Sequence, residues 1–81
     1  MEVRVRFFSH LRDLASTGEM NLEIEEGSSV DDLLKNLFAR RPALKAADKT
    51  ILVAAGVEFV DRNYVMRRGD EISIMPPVQG G

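Results

Sequence analysis

The residues best placed to do chemistry stand together at one end of the chain, where the sequence reads Pro76, Pro77, Val78, Gln79, Gly80 and Gly81. The two prolines fix φ and supply no backbone N–H donor, so strand pairing should stop there and an extended tail should leave the body of the protein. The two glycines have no Cβ, and their backbone can therefore enter a channel that is too narrow for other residues. A frayed terminus is the ordinary alternative. A diglycine that follows a Pro-Pro stalk and an apolar strand instead favours a tail whose Gly81 carboxylate is activated by another enzyme.

Other side chains give little sign of a catalytic or metal site. His10 is the only histidine and cysteine is absent, so no matching ligand cluster is evident and a surface or capping histidine is the better interpretation. Glu23, Glu25 and Glu26 are spaced as a solvated strand edge, and we assign them no catalytic role. We predict no metal and no cofactor bound by this chain. Without cysteine, any sulfur that the chain carries must be held at the terminus.

The composition is that of one small folded domain. The chain has 81 residues, of which 44% are hydrophobic and 30% are charged, and its formal net charge is -2. These values exclude a disordered chain and give no general attraction to nucleic acid. The apolar runs are too short to span a bilayer, and the first residues lack the pattern of a secretory signal. We therefore expect a cytoplasmic protein that binds neither nucleic acid nor membrane.

Alternation of apolar and polar residues predicts five strands along the chain. In the first of them, Val3, Val5 and Phe7 share one face, which should be the core face. Gly56 provides the turn between the third and fourth strands. The predicted strands are residues 2–8, 20–25, 51–55, 58–60 and 71–75.

One long helix and one short helix are predicted between the strands. Ser29 and Asp32 have the spacing of a capping box, and apolar residues follow at i, i+3, i+4, i+7 and i+8 along one face. These apolar residues are Val30, Leu33, Leu34, Leu37 and Phe38. Pro42 should end the long helix. The short helix is predicted after the first strand with Ser9 as its N-cap, whereas residues 43–49 fit a loop and a partial helical turn equally well.

A hairpin, a long helix and three further strands give an α+β protein with the β-grasp pattern. In this pattern a mixed sheet packs on one main helix, and here a short helix follows the first strand. The first and last strands should lie parallel and central in the sheet, joined by a right-handed crossover. We predict a β-grasp domain over residues 1–75 and an extended C-terminal diglycine tail over residues 76–81.

Four segments of the chain resemble the MoaD-like sulfur carriers, the family of the small subunit of molybdopterin synthase. They are VRVRFF at 3–8, LRDL at 11–14, GDEI at 69–72 and PPVQGG at 76–81. The resemblance extends over essentially the whole chain. Its last two segments are the most specific, because the β-grasp pattern alone is shared by ubiquitin-like proteins of many functions. Gly56 departs from the family, since many relatives have an asparagine there, and a contact made by that asparagine would be lost.

The resemblance implies that the tail is the reacting group and that most catalysis belongs to partners. A ubiquitin-activating-type adenylyltransferase would use Mg-ATP to adenylate the Gly81 carboxylate, and sulfur from an external persulfide donor would replace AMP to give a thiocarboxylate. The large subunit of molybdopterin synthase would receive the tail in a heterotetramer. The sulfur would then pass to a cyclic pterin precursor of the molybdenum cofactor. This chain would be a sulfur-donating subunit of a transferase complex.

A partner that receives the tail needs a surface beside it. Phe8 and Met75 fall out of phase with the core positions of the first and last strands, so they should share the open face of the sheet. With Pro77 and Val78, and with Phe59, whose side the pattern leaves undecided, they would form an apolar patch at the root of the tail. A loop that covers them is the alternative. We interpret Phe8, Met75 and Phe59 as partner-binding residues.

Two other functions use the same chemistry at Gly81 and stay open at this point. A ubiquitin-like modifier would form isopeptide bonds with lysines, whereas a sulfur carrier of another pathway would serve thiazole, cysteine or thioacid synthesis. Thiazole carriers are typically shorter and lack the Pro-Pro-Val stalk, which disfavours that option. The synthase subunit and the modifier are not separated by the sequence, because they differ only in the nucleophile that a partner brings to the adenylate.

Overall fold

The computed structural model describes residues 1–77. Within this range, five strands, two α-helices and one 3-10 helix follow one another along the chain. They are β1 (Glu2–Phe7), α1 (Leu11–Ala15), β2 (Glu19–Glu23), α2 (Val30–Arg40), the 3-10 helix (Pro42–Ala47), β3 (Leu52–Ala55), β4 (Glu58–Val60) and β5 (Glu71–Met75).

The strands form a mixed sheet in the order β2-β1-β5-β3-β4. β1 and β5 run parallel, with Val5 opposite Ile72 and Phe7 opposite Ile74, whereas the other neighbouring strands are antiparallel. The first and last strands are therefore adjacent in the interior of the sheet, and the segment that joins them contains α2. This arrangement confirms the predicted α+β β-grasp fold.

The core lies between α2 and the inner face of the sheet. Alternate residues of β1 are fully buried, while the residues between them are exposed. The cluster of buried residues includes Val3, Val5, Phe7, Leu22, Val30, Leu33, Leu34, Leu37, Val53, Ile72 and Ile74. Phe38 of α2 is partly buried at the margin of this cluster. Because the helix covers one face of the sheet, the opposite face is the one not covered by α2.

Helix α2 begins where the sequence predicts, with a complete capping box. The Ser29 backbone N–H donates to Asp32 Oδ2 (3.0 Å), and the Asp32 N–H donates to Ser29 Oγ (3.2 Å). The hydrogen bond from the Ser29 backbone, assisted by the Ser29 hydroxyl, lowers the pKa of Asp32. Asp31, in the first turn, forms an ion pair with Lys35 one turn later, with a nitrogen–oxygen distance of 3.2 Å. The helix ends before Pro42 as predicted: α2 stops at Arg40, and Pro42 begins the 3-10 helix after the intervening Arg41.

Several element boundaries differ from the prediction by one or two residues. β1 ends at Phe7 instead of residue 8, β2 covers Glu19–Glu23 instead of residues 20–25, and β3 begins at Leu52 instead of residue 51. Strand ends depend on hydrogen bonds with neighbouring strands, which local alternation does not reveal. The segment that fitted a loop and a helical turn equally well is mostly helical, because the 3-10 helix extends to Ala47 and buries Leu44.

The prediction that Ser9 caps α1 is wrong. Ser9 has a φ of 55°, in the left-handed region, and His10 occupies the cap position without a side-chain hydrogen bond. The chain has to turn sharply here, because the Phe8 N–H still donates to the Ile74 carbonyl (3.1 Å) while the Phe8 carbonyl accepts from the Leu11 N–H (3.2 Å). Ser9 therefore makes the turn between β1 and α1 instead of capping the helix.

Candidate functional site

Phe8 and Met75 lie side by side on the sheet face opposite α2. Phe7 pairs with Ile74 in the parallel ladder, and both residues are 1% exposed in the core. Met75 is the next residue of β5, and Phe8 follows β1 with its N–H still bonded to the Ile74 carbonyl, so both point to the other face. Phe8 and Met75 are partly exposed there. The structure thus places the two side chains on the face that the sequence predicts, and their role in partner binding stays a prediction.

Residues of β3 and β4 extend this apolar surface. Leu52 pairs with Met75 and Ala54 pairs with Phe59, and residues that face each other across strands share one face of the sheet. Phe59 therefore lies on the open face, where it is 66% exposed. Leu52 and Ala54 are not among the residues predicted for this surface, although their alternation with the buried Val53 could have placed them there. We define the open-face patch as Phe8, Leu52, Phe59 and Met75; Ala54 lies on the same face but is buried, at 6% exposure.

The other half of the open face carries charged side chains. Arg4 and Arg6 of β1 flank Glu71 of β5, with nitrogen–oxygen distances of 3.9 Å and 3.3 Å. The Arg6 guanidinium carbon also lies 5.4 Å from the centroid of the Phe8 ring, within the range of a cation–π interaction. Glu19 of β2 stands opposite Arg6 in the strand register. Arg6 therefore marks the boundary between the charged half of the face and the open-face patch.

The turn before β5 fixes the start of the strand that leads to the tail. The Asp70 carboxylate accepts hydrogen bonds from the Tyr64 hydroxyl (2.9 Å) and from the Arg67 backbone N–H (2.8 Å). Gly69 has a φ of 84°, which favours glycine. The hydrogen bond to Asp70 raises the pKa of Tyr64, and desolvation adds to the effect. The GDEI segment thus orders the loop that brings Glu71 onto the open face.

The turn between β3 and β4 is preserved despite its departure from the resembled family. Gly56 has a φ of 61°, and its N–H donates to the Glu71 carbonyl at 2.9 Å. Glycine adopts this left-handed conformation readily, as asparagine also does. Val57 follows it with its side chain fully exposed, so this hairpin presents an apolar tip to the solvent.

β5 leads directly from the open face into Pro76 and Pro77. A cleft of about 450 Å³ beside the two prolines is also lined by Ser9, His10 and Thr50. The stalk therefore begins next to the open-face patch, at the end of the strand that carries Met75. The remaining tail predictions concern residues outside the described part of the chain: Val78, Gly80 and Gly81.

The other residues considered in the sequence do not converge on a site. In the described part of the chain, no group of three or more His, Cys, Asp or Glu side chains is arranged to hold a metal ion. His10 is exposed at the start of α1, the Glu23 carboxylate is 3.9 Å from the amino group of Met1, and Glu26 pairs with Arg68. As far as the described residues extend, none of the helices is long and apolar enough to cross a membrane.

The sequence matches known proteins over its whole length. The model of the ThiS family matches residues 5–81. The molybdopterin synthase sulfur carrier subunit of Chlamydomonas reinhardtii is 34% identical over 83 residues, which cover 100% of both chains. The similarity is therefore not confined to the diglycine ending.

Solved structures with the same fold include proteins of two functional kinds. The protein assigned as molybdopterin converting factor subunit 1 in Pyrococcus furiosus has a TM-score of 0.88 at 27% identity, covering 96% of this chain and 99% of its own. Small archaeal modifier protein 1 from Methanosarcina acetivorans has a TM-score of 0.80 at 31% identity, covering 99% and 96%. A chain in the complex of subunits 1 and 2 of the molybdopterin-converting factor from Helicobacter pylori has a TM-score of 0.71 at 26% identity, covering 100% of both chains.

Proposed function

The chain belongs to the ThiS family, and we propose that it is the sulfur-carrying small subunit of a molybdopterin synthase. The observation that carries the proposal is the full-length match to a molybdopterin synthase sulfur carrier subunit. The position of the open-face patch supports it, because Met75 of the patch immediately precedes the Pro-Pro stalk. A carrier needs both features, since a partner must hold the domain while it receives the tail.

In this proposal the reacting group is the carboxylate of Gly81. Resonance and negative charge protect its carbon from nucleophiles, so it has to be activated first. An adenylyltransferase of the ubiquitin-activating type transfers AMP from Mg-ATP to the carboxylate and releases pyrophosphate. A persulfide from an external donor attacks the acyl carbon, AMP leaves, and a thiol then cleaves the sulfur–sulfur bond to leave the thiocarboxylate. Mg-ATP is bound by the activating enzyme, and this chain binds no cofactor of its own.

The open-face patch is proposed as the surface that the large subunit and the activating enzyme hold in turn. The Helicobacter pylori comparison supports a large-subunit partner, because the matched chain belongs to a complex of subunits 1 and 2. Gly80 and Gly81 enter the partner's channel, which their missing Cβ atoms allow. The thiocarboxylate sulfur passes to a cyclic pterin precursor, and two such donations complete the dithiolene. We propose a heterotetramer of small and large subunits that works in the cytoplasm.

Intact-protein mass spectrometry tests the proposal. With the activating enzyme, Mg-ATP and a sulfur donor, the mass of the chain should rise by the difference between one sulfur and one oxygen atom. Addition of the large subunit and the pterin precursor should return the original mass. Because the chain has no cysteine, no side-chain persulfide can mimic the thiocarboxylate. An unchanged mass, under conditions in which the activating enzyme modifies its own known carrier, would contradict the proposal.

A ubiquitin-like modifier is the second candidate, and the similarity to the modifier protein of Methanosarcina acetivorans favours it. The carrier and the modifier share the Gly81 adenylate and differ in the nucleophile that resolves it. Lysine-linked conjugates that survive reductant and denaturant, without any thiocarboxylate form, would establish the modifier. A thiocarboxylate that the pterin precursor does not consume would instead indicate a sulfur carrier for thiazole, cysteine or thioacid synthesis.

A further inference from the structure

Arg6 lies between Glu71 and Phe8 on the open face. Its Nη1 atom is 3.3 Å from Glu71 Oε1, and its guanidinium carbon is 5.4 Å from the centroid of the Phe8 ring. Arg6 and Phe8 are two residues apart in an extended segment, so their side chains point to the same side of the sheet. The Arg6 guanidinium therefore contacts the Phe8 ring while the Glu71 carboxylate of the neighbouring strand holds the guanidinium in place.

Within residues 1–77, the strands on either side of Phe8 contribute few neighbours to its ring. The β1–β2 register ends with Arg6 opposite Glu19, and the next contact, from the Phe7 N–H to the Gly18 carbonyl (2.9 Å), involves a residue without a side chain. On the β5 side the neighbour is Met75, and a methionine side chain adapts its shape to its surroundings. A partly exposed ring with a flexible neighbour would populate more than one rotamer. Within the described residues, the Arg6 guanidinium is thus a contact that can restrict the ring.

Arg4 provides a comparison within the same strand. Its Nη1 atom is 3.9 Å from Glu71 Oε2, and its side chain is 56% exposed, against 47% for Arg6. The two arginines have the same charge, pair with the same carboxylate and lie on the same face of the sheet, but within the described residues it is Arg6 that contacts an aromatic ring. An ion pair this exposed contributes little to folding stability. Replacing Arg6 should therefore differ from replacing Arg4 mainly in its effect on the Phe8 ring.

We infer that Arg6, anchored by Glu71, is a positioning residue that orients Phe8 for docking of the partner. The inference rests on the proposed function in one respect, because it takes Phe8 to be part of the docking surface. Arg6 acts through the ring: the cation holds Phe8 in one orientation in the free chain, so less freedom is lost when the open-face patch docks. A planar guanidinium suits this task, since it bonds a carboxylate through its edge and stacks on a ring through its face.

The free chain tests the positioning without any partner. Arg6→Gln and the matched control Arg4→Gln each remove one positive charge from the same strand and face. In nuclear magnetic resonance spectra with labelled phenylalanine, R6Q should shift the Phe8 ring resonances and broaden its χ1 rotamer distribution, whereas R4Q should leave both close to the wild type. Unchanged Phe8 signals in R6Q, or equal changes in R4Q, would overturn the inference whatever the fate of the proposed function.

A binding measurement then tests the link to docking, with the purified large subunit of a molybdopterin synthase as the probe. R6Q should weaken the affinity about two- to fivefold, because docking then has to order one more side chain. In a Phe8→Leu background R6Q should have no further effect, because Arg6 acts through the ring. An R6Q effect that persists undiminished in F8L would show that Arg6 contacts the partner directly, and it would overturn the inference. If the wild-type chain does not bind the large subunit, the proposed function fails while the spectra of the free chain still decide the positioning.

Discussion

Asp70 accepts a hydrogen bond from the Tyr64 hydroxyl at 2.9 Å and thereby holds the loop before β5 in place. The same carboxylate accepts from the backbone N–H of Arg67 at 2.8 Å, so one side chain joins both sides of a tight turn. Loss of the phenolic proton would remove a donor and set two negative charges side by side. The hydrogen bond accordingly raises the pKa of Tyr64 above its ordinary value of 10.0.

We predict that Asp70→Asn lowers the pKa of Tyr64 toward its ordinary value. The amide keeps an acceptor oxygen but removes the negative charge that opposes ionisation of the phenol. Tyr64 is the only tyrosine and the chain has no tryptophan, so the ultraviolet absorbance of tyrosinate reports this residue alone. Equal titration midpoints in the wild type and in D70N would show that the hydrogen bond does not form in solution.

Tyr64 should also make the free energy of unfolding fall at high pH. Because its pKa is higher in the folded than in the unfolded state, the folded protein holds the phenolic proton more tightly. This stabilisation is fully present below about pH 10 and is lost as the pH rises through the raised folded-state pKa. Denaturant unfolding of the wild type and of Tyr64→Phe over this range measures the contribution. If Y64F loses as much stability as the wild type, the loss has another source.

The capping box of α2 should give the opposite pH dependence. Hydrogen bonds from Ser29 lower the pKa of Asp32 in the folded state, so its stabilisation is present above the ordinary value of 3.8 and is lost as the pH falls through the lowered pKa. At neutral pH, Ser29→Ala should destabilise the fold by about 1 kcal/mol through loss of the cap. Ser28→Ala, at the adjacent serine outside the capping box, is the matched control. Equal unfolding midpoints for S29A and S28A would contradict the role of the cap.

Substitutions on the two faces of the sheet should separate binding from folding. Phe8→Glu or Met75→Glu should weaken association with the large subunit or the activating enzyme more than it lowers the unfolding midpoint. Leu34→Ala or Leu37→Ala should instead destabilise the fold by ~2–5 kcal/mol, because each residue is 1% exposed in the core and its truncation leaves a cavity. Calorimetric binding and thermal unfolding of the four variants give the comparison. If F8E unfolds the domain as severely as L34A does, Phe8 belongs to the core.

The fold could be predicted because its main signals are local. Val3 and Val5 reveal the first strand by alternation, and Ser29 with Asp32 reveals the start of α2 by its capping spacing. The prediction for Ser9 is wrong because serine is a common N-cap, whereas the residue before it is held by a hydrogen bond from the Phe8 N–H to the distant Ile74 carbonyl. Contacts that join distant segments decide such details, and a local pattern does not contain them.

The candidate site, like the fold, could be predicted only where local alternation assigns a residue to a face of the sheet. Phe8 and Met75 follow from the phase of their strands, but Phe59 belongs to a strand of three residues, which is too short for alternation to assign a face. Its pairing with Ala54 decides the side. The contact of Arg6 with Glu71 spans 65 positions in the sequence, and only the parallel pairing of β1 with β5 brings the two residues together.

We predict that adenylation requires a free Gly81 carboxylate at the end of the tail. Deletion of Gly81, or addition of residues beyond it, should abolish adenylation because the activating enzyme must reach a terminal carboxylate. Gly80→Val should have the same effect, since a β-branched side chain is excluded from a channel that admits only the backbone. The unfolding midpoint of these variants should match that of the wild type, because within residues 1–77 the last buried residue is Ile74, well before the substituted positions. Gln79→Ala, next to the diglycine, is the matched control and should keep full activity. ATP–pyrophosphate exchange with the activating enzyme measures the outcome, and ATP-dependent adenylation of a chain with a blocked terminus would refute the proposed role of Gly81.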